Sequence, residues 1–281
     1  MTTVAAERPD TAVRIVARTP FFRSAFLALF VAGVGFSATL PQLTLFLTRD
    51  LGASVPVAGL YFLTNLGAPV AGFAVGVLSD RQPDRLRLVR FCAVVGGLGW
   101  LAMAGATRIW MPFVISVVAL SVSGATMALL FAAVRDELSR RPTPADSRVV
   151  ATVRMAFTAG WIVGPVFGSW FGSAFGLRPL LVATALCTLG QLIPLGRQRV
   201  ARHVLAAEQA DGRPARRSWR RLAPLLVFTG LSVLVMSGDT MKFAYLPLYM
   251  ADDLHISDTL RGSVIAVQPL LEFVLMPLAA W

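Results

Sequence analysis

Eight runs of predominantly apolar residues divide this chain, near 25–47, 57–79, 88–106, 110–132, 149–173, 178–196, 223–250 and 261–281. About 20 apolar residues is the length a helix needs to cross the hydrocarbon of a bilayer. Backbone groups in that medium must be satisfied inside the segment, which favours helices. The pattern predicts an all-α integral membrane protein. Composition agrees, with 15% charged residues against about a quarter in a soluble domain. The apolar load excludes a disordered chain, and two cysteines exclude a disulfide scaffold. Cys92 and Cys187 each lie within an apolar run and read as small apolar fillers. The first run is too long for a cleavable signal core, and Gln42 and Thr44 follow Pro41 where a cleavage site would fall.

The net charge is +11, and 25 of the 26 basic residues are Arg. A nucleic-acid binder would cluster them on a polar, aromatic surface, whereas here they fill the gaps between apolar runs. Alternate gaps hold twenty and four: Arg8 to Arg23, Arg81 to Arg90, Arg135 to Arg148 and Arg197 to Arg221 against Arg49, Arg108, Arg178 and Arg261. By the positive-inside rule the arginine-rich side is cytoplasmic. This predicts a multi-pass protein of the cell (plasma or inner) membrane with a cytoplasmic N-terminus and no nucleic-acid partner.

Four parts are expected: a cytoplasmic tail 1–24, polar and disordered over Met1–Thr19; a six-helix bundle 25–196; a basic cytoplasmic linker 197–222 with a short helical pattern at Val200–Gln209; and the start of a second bundle at 223–281. A weak repeat at an offset of 203 supports the division. It sets Phe46–Leu51 against Tyr249–Leu254, Ser54 on Ser257, Gly59 on Gly262 and Asn65 on Gln268. Transporters built from parallel six-span units carry such repeats. In the same register Asp80 maps beyond Trp281. A fragment is therefore expected, lacking four spans of its second half and unable to transport alone.

The segment between the second and third runs carries Gly76, Asp80, Arg81, Asp84, Arg85 and Arg87. Gly76 permits close helix approach, and the charges form a cluster able to latch helix ends and bias a rocking motion. In the fifth run Gly160, Gly164 and Gly168 share one smooth helix face, while Pro165 removes a backbone hydrogen bond and allows a kink. Intramembrane charges are costly and ordinarily face a cavity or a partner. They are Arg154, within reach of the interface by snorkelling; Asp239 and Lys242, three apart on one face; and Glu272, a proton-binding or solute-contacting carboxyl. Gln42, Tyr61, Asn65 and Gln268 complete the polar candidates, with Trp161 and Tyr245 as rings. No metal-ligand spacing, phosphate loop or catalytic constellation is present, and His203 and His255 are isolated. No enzyme, metal or cofactor is expected, and transport would be secondary, driven by an ion gradient.

The segment from Gly76 to Arg87 resembles the loop signature of the major facilitator superfamily, Gly-x-x-x-Asp-Arg-x-Gly-Arg-Arg. Pro83 stands near the usual glycine and Asp84 is an added acid, a departure similar to the superfamily's sugar efflux transporters. Gly160 to Gly168 resembles the span-5 signature associated with antiport. Pro41–Gly52, Leu130–Asp136, Arg154 with Trp161–Pro165, and Leu246–Tyr249 resemble further segments of the sugar efflux family, in which Asn65 and Glu272 recur at like positions. Lys242 and Pro269–Leu271 are not features of that family. The resemblance covers roughly 25–281. It implies the superfamily fold, here a first six-helix bundle plus the first two helices of the second. It also implies proton-coupled efflux of a sugar or sugar-like solute by alternating access. Protons, the solute and the bilayer are the expected partners, with a monomer as the oligomeric state. The alternatives are a proton-coupled multidrug exporter and a non-transporting membrane scaffold or sensor.

Overall fold

In a computed structural model the chain is described over residues 11–143, 145–201 and 219–279. These residues form helices, with an isolated antiparallel bridge between Asp84 and Ala201. In order they are α1 (Ala12–Arg18), α2 (Pro20–Asp50), α3 (Val55–Arg81), α4 (Arg85–Ala104), α5 (Trp110–Arg140), α6 (Asp146–Phe175), α7 (Leu177–Leu195), α8 (Trp219–Asp252) and α9 (Asp258–Ala279). Seven of them, α2 to α8, are long and apolar enough to cross a membrane. The eighth expected span coincides with α9, which is long enough at 22 residues but carries Asp258, Arg261 and Glu272.

The tail is more ordered than its polarity implied. Ala12–Arg18 is a helix with Ala12 and Val16 buried against the bundle, because Ala12, Ile15 and Val16 fall on one face across successive turns. Residues 1–10 of the expected tail lie outside the described residues, as do 202–218 of the expected linker. The helix expected from Val200 does not begin there. The Val200 backbone N–H instead donates to Asp84 Oδ1 at 3.2 Å, and the remainder of that expectation is outside the described residues.

The firmest packing joins α2 to α6. A Cβ on Gly160 would stand 2.7 Å from Phe30 O and Val34 N, and one on Gly33 2.7 Å from Phe157 O. Gly164 meets Ser37 and Val34, and Gly168 meets the backbone of Ala38. The two backbones therefore touch at positions where only hydrogen fits, which is how small residues draw membrane helices together. Ser37 Oγ adds a hydrogen bond to Gly33 O at 2.7 Å and one across the seam to Gly160 O at 3.2 Å. On the next face Thr184 of α7 donates to Gly35 O at 3.2 Å and bonds Thr39. α9 joins the other side of α6, where Gly262 lies against Pro165 O and Ser169.

α6 reverses into α7 through one residue, Gly176 at φ +94°, a backbone state that suits glycine alone. α8 is the least packed helix, with no residue buried from Ala223 to Phe243 and with Ala244, Leu248 and Met250 buried beyond. Cys92 is buried, Cys187 is half-buried, and both are free thiols.

Candidate functional site

Along α6, Arg154, Thr158 and Trp161 follow the i, i+4, i+7 spacing that puts side chains on one helix face. All three line a cavity of about 260 Å³ between α5 and α6 on one side and α8 and α9 on the other. Asp239, Phe243, Gln268 and Glu272 form the facing wall. Five polar residues scattered over 119 positions of sequence thus share one space.

The cavity's two walls differ in chemistry. On α6 the guanidinium of Arg154, the Thr158 hydroxyl and the Trp161 indole N–H all offer protons, and the Trp161 nitrogen is buried without a partner. Opposite them runs a continuous polar chain. Lys242 Nζ donates to Asp239 Oδ1 at 2.8 Å and to Gln268 Oε1, and Gln268 Nε2 donates to Glu272 Oε1 at 3.0 Å. Lys242 therefore bridges α8 to α9, and Gln268 passes that link to Glu272. Three rings surround Trp161, those of Phe36, Phe157 and Phe243, with centroids 5.8, 6.2 and 5.9 Å away. Lys242 Nζ lies 4.6 Å over the Phe243 ring.

Asn65 is elsewhere. It lines a second cavity of about 270 Å³ formed by α2 to α7, with Tyr61, Ser116, Thr126 and Trp100 among its walls. The tight turn at Phe62–Leu66 in α3 and the wide turn at Ser116–Leu120 in α5 flank this space. Such departures from regular helix loosen the ladder that would otherwise fill it. Met127 and Phe157 line both cavities and form the partition between them.

Two expected cavity residues serve packing instead. Gln42 is 6% exposed and donates from Nε2 to Ser169 Oγ at 2.8 Å, bracing α2 on α6. Its amide reaches a neighbouring helix before it reaches either cavity. Tyr245 turns its hydroxyl against Gly59 of α3, where a Cβ would collide with it.

At the arginine-rich end the charge cluster has Arg85 at its centre. Its guanidinium pairs with Asp136 of α5, donates to Ser79 Oγ at 2.9 Å and approaches Asp80 at 3.4 Å. Asp84 caps α4 by accepting from the Leu86 N–H at 3.1 Å, as well as from Val200. Arg90 donates to Gly196 O at 3.0 Å and to Gln198 O at 2.6 Å, holding the chain after α7 to the same cluster. Arg81 and Arg87 are exposed and outside this network. Among the described residues nothing outside its own helix stands within 4 Å of where a Cβ on Gly76 would be. The sequence reading missed Asp136 and Thr158. Helical spacing from Arg154 would have found Thr158, while nothing local names Asp136 as the partner of Arg85.

The opposite end holds a second set of ties. Arg178 of α7 donates to Ala104 O and Ala106 O, both at 2.8 Å, lies 3.6 Å from Asp50 and covers the Phe46 ring. Those contacts stay within α2 to α7. Arg49 instead reaches Asp252 at the end of α8, at 2.9 Å.

The family model of the Major Facilitator Superfamily matches residues 25–281. Sugar efflux transporter A of Escherichia coli K12 is 28% identical over 91% of this chain and 65% of its own length. Sugar efflux transporter A of Dickeya chrysanthemi is 27% identical over 92% of this chain and 65% of its own length. The multidrug resistance protein MdtG of Dickeya zeae is 27% identical over 58% of this chain and 40% of its own length. The chain spans less than two thirds of the length of each of these relatives.

Proposed function

The chain belongs to the major facilitator superfamily, and from that premise we propose that it forms part of a proton-coupled exporter of sugars or sugar-like solutes. The observation that carries this reading is the meeting of Arg154, Trp161, Asp239, Gln268 and Glu272 on one cavity between α6 and α8–α9. A sugar presents hydroxyls that donate and accept, together with a ring face rich in C–H. The α6 wall offers donors and an indole face, and the α8–α9 wall offers carboxylate and amide acceptors. Sugar efflux transporters among the relatives point the same way.

Glu272 ends the polar chain and is the group proposed to exchange a proton for solute. Its carboxylate accepts a solute hydroxyl, and a proton on it removes that acceptor. Proton and solute then compete for one site, which is the thermodynamic requirement for exchange. Lys242, Asp239 and Gln268 hold the carboxyl in place. Alternating access moves α2–α7 against the second bundle, with the Arg85–Asp136 cluster on the cytoplasmic side and Arg49–Asp252 on the other. That sidedness rests on the arginine asymmetry.

Equilibrium binding of labelled lactose and glucose to the purified chain in lipid nanodiscs tests the site. Saturable binding that Trp161→Ala and Glu272→Gln each weaken by about tenfold, roughly one charge-assisted hydrogen bond, is the expected result. Sugar binding indifferent to both substitutions overturns it. Saturable ethidium binding in place of sugars would favour the multidrug reading.

A further inference from the structure

We propose that a groove on the lipid-facing side of α7, at the arginine-poor end of the bundle, is a binding site for phosphatidylethanolamine. The groove, about 480 Å³ in volume, lies between the end of α4 and Phe171 of α6 and is floored by Pro179, Val182, Ala183 and Leu186 of α7. Those four residues keep the i, i+3, i+4, i+7 spacing of one helix face, while Leu180, Leu181, Thr184 and Ala185 are buried on the opposite face. From Arg178 to Leu186 the helix rises about 12 Å, enough to seat one acyl chain along it. Trp170 and Phe175 stand exposed in ring contact with Phe171, as aromatic side chains do at headgroup depth. The groove shares no residue with either interior cavity.

An apolar groove accepts any acyl chain, so selection falls to its polar end. Two opposite charges meet there. Arg178 Nη1 and Nη2 donate to Ala104 O and Ala106 O, both at 2.8 Å, and Nε faces Asp50 Oδ2 at 3.6 Å, beyond hydrogen-bond reach. A guanidinium has five N–H groups, so two are left without a partner among the described residues. The Asp50 carboxylate accepts no hydrogen bond among them either. The carbonyl ties hold the guanidinium off Asp50, and at 39% and 27% side-chain exposure both charges can be reached from outside. A donor with spare N–H groups beside an acceptor with spare lone pairs complements a zwitterion. Phosphatidylethanolamine supplies a phosphate for Arg178 and, two carbons away, a primary ammonium for Asp50. Phosphatidylglycerol would set a phosphate beside Asp50 with no cation to offset it. The quaternary ammonium of phosphatidylcholine has no N–H to donate.

The test is native mass spectrometry of the purified chain released from detergent micelles and titrated with the dioleoyl forms of the three lipids. The first phosphatidylethanolamine should bind about tenfold tighter than either other lipid, the worth of one charge-assisted hydrogen bond. Asp50→Asn, which breaks no hydrogen bond, should lower phosphatidylethanolamine to the level of phosphatidylcholine. Asp252→Asn, at the same end but outside the groove, should leave the preference intact. Val182→Trp, filling the groove from an exposed position, should weaken phosphatidylethanolamine at least about threefold. Equal affinities for the three lipids overturn the proposal, because the groove then holds bulk lipid only. Tighter phosphatidylglycerol overturns it too, since Arg178 would then act as a lone cation. So does a preference that survives Asp50→Asn, or unaltered affinity in Val182→Trp. Should a variant fail to fold, the ranking of lipids on the wild-type chain decides alone. Lactose binding in Asp50→Asn should equal wild type, so the failure of this site and the failure of the sugar site are separately visible.

Discussion

Arg49 and Asp252, whose charged groups meet at 2.9 Å, are 203 residues apart, the same interval that relates the two halves of the sequence repeat. Equivalent positions of the two repeats thus carry opposite charges and pair with each other. The pair ties the end of α2 to the end of α8 at the arginine-poor end.

Reversing one member should loosen that end, and reversing both should restore it. Both side chains are more than half exposed, so the pair contributes at most about 1 kcal/mol, equivalent to roughly fivefold in a conformational equilibrium. Spin labels at Arg108 and His255 should report a longer, broader distance distribution in Arg49→Asp. The double variant Arg49→Asp with Asp252→Arg should return the wild-type distribution. Identical distributions in all three proteins would contradict the lock.

The α2–α6 seam predicts a contrast between two glycines. A Cβ at Gly164 would meet Ser37 and stand 2.7 Å from Val34 O, whereas one at Gly76 meets nothing within 4 Å. Gly164→Ala should destabilise by about 1–3 kcal/mol through overpacking, and Gly76→Ala should be neutral. Cys92 and Cys187 supply the readout, since a thiol-reactive dye labels them as the bundle melts.

Arg85 and Asp136 are 13% and 11% exposed at their side chains. Removing one of two paired, buried charges strands the other, at about 3–5 kcal/mol, which discounts to the lower end here because some solvent reaches both groups. Arg85→Ala should show that loss in the same thiol assay. Arg81→Ala and Arg87→Ala, on exposed side chains outside the network, should stay within about 0.5 kcal/mol. Equal effects at all three arginines would mean that the cluster acts through net charge rather than geometry.

Gln42 and Gln268 separate packing from binding. Gln42→Leu should cost about 1–2 kcal/mol of stability by orphaning Ser169 and leave lactose affinity unchanged. Gln268→Leu should do the reverse, weakening lactose binding about tenfold by releasing Lys242 and Glu272, with little change in melting.

The spans were legible because hydrocarbon imposes a length and a polarity that any window of sequence reports. Ala223–Asp252, for example, is predominantly apolar despite Asp239 and Lys242, although its most apolar stretch is not buried. The α1 helix was not legible, because its amphipathic stretch is only about two turns long and its charged neighbours dominate any average. Within the site, Arg154, Asp239, Gln268 and Glu272 were named from the cost of polar groups at depth, a rule that needs no fold. Gln42 obeys the same rule yet bonds Ser169. Depth shows that a polar group has a partner and does not say whether the partner is protein or solute. The pairing of Arg85 with Asp136 depends on how three helix ends converge, and spacing along one helix carries no trace of it.

The contact of α2 with α6 also limits how this bundle can vary over time. Gly33, Gly160, Gly164 and Gly168 leave no methyl to trim or enlarge by degrees, so neighbouring side chains cannot drift together to compensate a change. Lineages diverging from this sequence are expected to hold those four positions nearly fixed and to accumulate their differences on the outer faces of α3, α5 and α8.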